Sequence, residues 1–231
     1  MNGQISVAVD GPSGAGKSTL ARACAKAFNF IYVDTGAIYR TVGLAAYRAG
    51  IDCHDAVNIE KLLPSLDIQM AYNAHGEQCM ILNGEDVSKE IRLPEISICA
   101  SDVSSLPLVR AFLMEMQRKM ACENNVIMDG RDIGTVVLPD AEIKIFLTAS
   151  SRARAQRRLA ELSAKGVETN LEDVLKDIEY RDYQDSHREA APLRRAEDAI
   201  LMDTSELTLE QSIQLMISII KERSGLRAAE E

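Results

Sequence analysis

The chain has 231 residues, 46% of them hydrophobic and 26% charged, with a formal net charge of −9. That balance supports a packed α/β domain with an insertion, or two modest domains, and excludes a disordered chain. The acidic excess excludes a broad cationic face for nucleic acid, so any anionic ligand must be met by local arginines.

The first apolar run, residues 5–9, leads directly into Gly11, Pro12, Ser13, Gly14, Ala15, Gly16, Lys17 and Ser18. This is GxxxxGK[ST] in the strand-to-helix setting that a phosphate-binding loop requires. Glycines let the backbone curl so that successive amides face phosphate oxygens, and the following helix presents free N–H groups and a positive dipole end. Lys17 supplies a charge for the β and γ phosphates, and the Ser18 hydroxyl is the expected Mg²⁺ ligand. The alternative is a chance glycine-rich turn, which the flanking strand and helix disfavour.

Helical spacing follows at Leu20, Cys24, Ala27 and Phe28, then a second apolar run at 30–33 ends in Asp34, Thr35 and Gly36. Ile38, Val42 and Ala45 form the next stripe, which puts Arg40 one turn into a helix at the carboxyl edge of the sheet. Alone, Arg40 reads as a solvated helix residue. Residues 66–91 change to short alternating strands with turn residues Asn73, Gly76, Asn83 and Gly84, a small antiparallel insertion. A helical stripe of Val109, Phe112, Leu113, Met116 and Met120 precedes a third run at 126–128.

That third run ends in Asp129, Gly130, Arg131 and Asp132. Asp129 is either directed at Mg²⁺ or its water, or a structural cap; Arg131 and Asp132 are candidates for ligand contact. After the run at 143–147, Arg152, Arg154, Arg157 and Arg158 cluster on a helix ending near Gly166. They suggest a lid that closes over a triphosphate, a solvated basic face being the alternative. A further helix from Leu171 to about Tyr183 buries Leu171, Val174, Leu175 and Ile178. Arg181, Asp185 and Arg188 then share one face if the helix continues, although an exposed ion-pair stripe would have the same spacing. The last run, 199–202, precedes a helix bounded by a Thr208–Gln211 capping box and Gly225, with the stripe Ile213, Met216, Ile217 and Ile220.

Strands alternating with helices make this a doubly wound α/β plan. The five cysteines, Cys24, Cys53, Cys79, Cys99 and Cys122, form no CxxC pair and read as small core residues in a reducing compartment. The N-terminus lacks a signal-peptide pattern, and no window approaches the ~18 apolar residues of a membrane span. A cytoplasmic location follows by elimination. The polar tail at 227–231 is expected to be disordered.

Taken together, DGPSGAGKST, DTGAIYR, the insertion, DGRDIGTVVLPDA, the arginine-rich segment and RDYQDSHR resemble the bacterial cytidylate kinases in order and spacing over nearly the whole chain. The resemblance implies a three-layer P-loop NTPase fold with a five-stranded parallel sheet, a small antiparallel insertion and a helical lid. Its core would be residues 1–36, 93–150 and 190–231. An acceptor-binding region would span 37–92, with the insertion at about 66–92, and the lid and following helix 151–189. It further implies that Thr35, Arg40, Arg131 and Arg188 hold an acceptor monophosphate, that Ser101, Arg110 and Asp132 read cytosine, and that Arg181 and Asp185 reach the sugar. ATP would be held by residues 11–18 with Thr19, Arg157 and Arg158, and Lys17, Arg131, Arg157 and Arg188 would act on the transferring phosphoryl group. The metal would be Mg²⁺, on Ser18 and Asp129. Thr35 departs from those members that have serine, but either residue offers a hydroxyl.

Independently of the resemblance, a carboxylate at Asp132 can accept from the N4 amino group of cytosine, where uracil has an acceptor. The reaction expected is direct transfer from Mg·ATP to CMP or dCMP by a monomer, with no nucleic acid or membrane partner. The competing readings are a P-loop kinase for another monophosphate such as UMP or AMP, a kinase for a small alcohol, and a nucleotide-dependent switch protein. The last usually carries an NKxD segment, and none occurs.

Overall fold

A computed structural model describes residues 4–74, 77–164 and 166–226; Gly76 and the tail at 227–231 lie outside the described residues. In chain order the elements are β1 (Ser6–Asp10), α1 (Lys17–Phe28), β2 (Ile31–Asp34), α2 (Thr35–Arg48) and α3 (Ala56–Leu62), then β3 (Ile68–Tyr72), β4 (Gln78–Leu82) and β5 (Glu85–Asp86). They continue with α4 (Pro94–Ser105), α5 (Pro107–Glu123), β6 (Val126–Gly130), β7 (Ile143–Thr148), α6 (Ser151–Ala164), α7 (Leu171–His187), β8 (Ile200–Asp203) and α8 (Leu209–Ser224).

Five strands form a parallel sheet in the order β2-β6-β1-β7-β8, and β3, β4 and β5 form a separate antiparallel sheet. The chain divides into two compact units, one of residues Met1–Tyr32 and Ala121–Glu231, the other of Val33–Met120.

In the first unit, β1 and β6 are apolar runs because both faces are covered. Val7, Val9, Ile127, Ile143, Ile145 and Leu147 pack with α1 and α8, while Ala8, Val126 and Met128 on the alternate positions are also buried. Register carries the functional consequence. Asp10 pairs with Gly130 and Phe146, so the loop after β1 and the Arg131–Asp132 turn leave the sheet side by side at its carboxyl edge.

Helix α8 begins and ends where its sequence signals place it. Thr208 and Gln211 complete a reciprocal capping box, Gly225 takes the left-handed conformation at φ 69°, and Met216 and Ile220 are buried.

In the second unit, α4 lies close against α2 because position 43 is glycine; a Cβ there would stand 2.9 Å from the Ala100 backbone nitrogen. Helix α5 departs from the expected stripe. Val109 and Leu113 are buried, but Phe112 is 37% exposed, and Gln117 is buried instead at 1%. Met116 and Met120 are only half-buried, so the apolar residues of this helix outnumber the positions its buried face offers. The cysteine expectation also needs correction. All five are unpaired thiols, but only Cys24 and Cys53 are buried, Cys79 and Cys99 are half-buried, and Cys122 is exposed.

Candidate active site

The loop after β1 can leave the strand only through glycine. Gly11 has φ 152°, and a Cβ at that position would sit 1.9 Å from the carbonyl oxygen of Leu147 on the neighbouring strand. The turn closes at Gly16, whose left-handed backbone, φ 90°, caps α1 without a side-chain hydrogen bond. With no acidic residue in its first turn, α1 offers its amide donors and its dipole to an anion.

Lys17 folds back over this turn, its Nζ donating to the Pro12 carbonyl at 2.8 Å. The residue is only 6% exposed. Burial drives its pKa down to about 7, and the nearby Arg131 cation adds to the shift against the pull of Asp129, Asp185 and Asp10.

Beside the lysine, Asp129 at the end of β6 is buried and held from two sides, by the Ser18 hydroxyl at 2.9 Å and the Tyr32 hydroxyl at 2.8 Å. Asp10, at the end of β1, accepts from the backbone amides of Ile133 at 2.8 Å and Gly134 at 2.7 Å. Its pKa stands at about 6, because burial outweighs those two hydrogen bonds. Asp10 was not among the sequence candidates, although an aspartate directly before Gly11, at the end of an otherwise apolar strand, is the signal that marks it.

Helix α7 runs on to His187, four residues past the end expected from its apolar stripe. Asp185 binds the Arg131 Nε at 2.5 Å. Burial alone would lower the Arg131 pKa, but the Asp185 carboxylate outweighs it and the net shift is upward. Arg188 is the C-cap, with extended backbone, so it leaves the face shared by Arg181 and Asp185. It reaches Asp132 at 3.3 Å and donates through Nε to the Ala191 carbonyl at 2.8 Å. Arg181 is exposed.

The four arginines of α6 have four different surroundings. Arg152 is exposed, and Arg158 pairs with Glu161 at 3.1 Å. Arg157 donates to the Thr204 hydroxyl at 3.2 Å and to the Thr204 carbonyl, while Arg154 is buried against the loop. Thr19 is exposed on α1.

The second unit carries the other candidates. Asp34 caps α2, accepting from the Ala37 amide at 2.9 Å, and its second oxygen holds Arg40 Nη2 at 2.9 Å. Gln78 of β4 clamps the Asp34 backbone from both sides, accepting from its amide at 2.8 Å and donating to its carbonyl at 3.3 Å. Thr35 is buried in the first turn of α2. Arg110 lies just beyond the 96° bend between α4 and α5. It is buried, lies over the Tyr39 ring with its carbon 5.6 Å from the centroid, and donates to the Ser104 carbonyl at 3.3 Å. Ser101 is exposed on α4.

Comparison with known proteins agrees with this geometry. A sequence model described as cytidylate kinase matches residues 7–222. The cytidylate kinase of Geobacter sp. (strain M21) is 51% identical over 223 residues, covering 96% of this chain and 94% of the relative. That of Caldicellulosiruptor saccharolyticus is 47% identical over 216 residues, covering 94% and 95%. Among solved structures, an uncharacterized protein from Eubacterium ventriosum shares the fold with a TM-score of 0.51 at 14% identity, over 95% of this chain and 100% of that one. With a glycine-bent loop, a buried lysine and a paired arginine set assembled at one sheet edge, and with half the residues shared along almost the full length, the chain belongs to the cytidylate kinase family.

Proposed function

We propose that the protein transfers the γ-phosphoryl group of Mg·ATP to the phosphate of CMP or dCMP, giving ADP and the diphosphate by direct in-line displacement. The observation that carries this reading is the meeting of two basic side chains at one edge of the first unit, Lys17 buried in the phosphate loop with its pKa lowered by burial and further by the nearby Arg131. Two basic groups held this way are suited to a polyanion, and Asp185 keeps Arg131 charged and aimed.

The loop amides of residues 11–18, with Thr19, take the donor phosphates; Arg157 and Arg158 are assigned to the donor side as well. Ser18 and Asp129 present adjacent hard oxygen donors, which fits Mg²⁺ held jointly with phosphates. Bound there, the ion would neutralise charge on the donor phosphates. In the first unit, Arg131 and Arg188 take the acceptor phosphate, Asp132 the cytosine amino group, and Arg181 and Asp185 the sugar. In the second unit, Thr35 and Arg40 are the residues assigned to phosphate, and Ser101 and Arg110 those assigned to the base. The Asp132 carboxylate, which accepts from Arg188 Nη2 at 3.3 Å, is the group assigned to the cytosine amino group. Facing uracil, that carboxylate would leave an acceptor unpaired at a cost of ~1 to 3 kcal/mol, a preference against UMP.

No general base is required, because a phosphomonoester with its second pKa near ~6 is already largely dianionic at neutral pH. The overall charge of −9 and the local placement of the arginines favour free nucleotides over nucleic acid. No single helix among the described residues is long and apolar enough to cross a membrane. We take the enzyme to act as a cytoplasmic monomer.

The test is an acceptor panel of CMP, dCMP, UMP, AMP and shikimate with ATP and Mg²⁺, read by chromatography of the products. CDP and dCDP are expected to dominate. A product from AMP or shikimate at a higher rate would replace this reading with that of another P-loop kinase.

A further inference from the structure

Arg154 has all five of its guanidinium N–H donors committed. Nε donates to the Ala149 carbonyl at 2.9 Å, and Nη1 donates to the Ser13 carbonyl at 2.9 Å and to Asp182 Oδ1 at 3.0 Å. Nη2 donates to the Ser151 hydroxyl at 3.2 Å and to Asp182 Oδ2 at 2.6 Å. The side chain is 5% exposed, so these are the bonds of a desolvated, bidentate pair that leaves no donor over. Three segments meet on one cation: the root of α6, the middle of α7, and the apex of the phosphate loop.

The apex is the informative partner. In a trans peptide the carbonyl and the following N–H point in opposite directions, and the described chain has no cis peptide. Holding the Ser13 carbonyl toward α6 and α7 therefore turns the Gly14 N–H away from them. Gly14 is left-handed at φ 73° and rests on the same helices, since a Cβ there would lie 3.5 Å from Arg154 Cβ and 3.8 Å from Ile178 Cδ1.

We infer that Arg154, aligned by Asp182, is a positioning residue for the donor site: it sets the Ser13–Gly14 peptide plane and thereby aims a loop amide at the donor phosphates. Asp182 and Asp185 lie one turn apart on α7, so the helix that fixes the donor loop through Arg154 also holds Arg131. This makes α7 a common strut for the two charged arms. The inference rests on ATP as the donor.

The experiment measures ATP and CMP binding separately by calorimetry for wild type, Arg154→Ala, Arg154→Lys and Asp182→Asn, with melting temperatures alongside. Arg154→Lys keeps the charge but cannot bridge Ser13 and Asp182 together. It is expected to fold and to lose about 10²-fold in ATP affinity, the scale for a misaimed binding group, while CMP affinity is little changed. Asp182→Asn is expected to shift ATP affinity in the same direction by less. Millimolar free guanidinium should restore ATP binding to Arg154→Ala, because the cation refills the vacated site. If Arg154→Ala does not fold, the other two variants decide. Equal loss for ATP and CMP, or undiminished ATP binding by Arg154→Lys, overturns the assignment while leaving the kinase reading intact. A wild-type protein that binds CMP but not ATP overturns both.

Discussion

The loop at residues 11–18 and the arginines of α6 and α7 both announced themselves as phosphate-handling regions, yet the structure treats them differently. In the loop, the backbone geometry that the motif demands is the geometry found: Gly11 threads past Leu147, and Gly16 opens α1. Among the arginines the pattern dissolves into individual assignments. Arg154 anchors the loop, Arg157 holds Thr204, Arg158 pairs with Glu161, and Arg188 turns out of α7 to reach Asp132. A backbone motif carries its own constraints, whereas a long side chain takes whichever acceptor the tertiary structure brings within reach.

The largest expected effect comes from Lys17→Ala, which should lower turnover by about 10² to 10³-fold, the loss of one transition-state charge contact. Its melting temperature should not fall, because the variant removes a desolvated cation. A coupled ADP assay with a thermal melt checks both; near-normal turnover would break the loop's side of the contrast. Gly11→Ala tests the backbone claim, since the added methyl meets a main-chain carbonyl that cannot swing aside. It is expected to cost about 3 kcal/mol in denaturant unfolding, and a loss under about 1 kcal/mol would show that the strand exit tolerates a side chain.

On the arginine side, Arg188→Met should raise KM for CMP about 10²-fold while leaving KM for ATP nearly unchanged, as expected when one member of a mostly buried ion pair is removed. Equal effects on both constants would take Arg188 out of the acceptor site.

The subtlest expectation is a proton linked to ATP. Free Lys17 titrates at about 7, below its ordinary value, and polyphosphate must raise it again. At pH 8 the free side chain is mostly neutral and the bound one charged, so ATP binding should take up a substantial fraction of a proton; well below pH 7 it should take up none through this group. Calorimetry in buffers of differing ionisation enthalpy reads the uptake, which Lys17→Ala should abolish.

Much of the fold was legible because buried parallel strands must be apolar on both faces. The runs beginning at residues 5, 30 and 126 stand out for that reason, those at 143 and 199 are apolar although β7 is half-buried on one face and β8 leaves Leu201 52% exposed, and the observed strands start within a residue of each run. Helix α8 was legible for a different reason, since capping chemistry is local and Thr208, Gln211 and Gly225 need no partner outside their own segment. Helix α5 was not. Its apolar residues fit more than one face, and only packing decided that Gln117 goes in and Phe112 stays out.

Within the site, the amino-acid order alone located the phosphate loop, because glycine spacing and the strand before it mark where the chain must turn. The contacts that Asp10 and Arg154 make were settled only in three dimensions. Their partners, the Ile133 and Gly134 amides and the Ser13 carbonyl, are backbone atoms more than 120 residues away in the chain. Backbone atoms are the same at every position, so no residue pattern could name them; the parallel register of β1, β6 and β7 and the docking of α6 against α7 brought them within hydrogen-bonding distance.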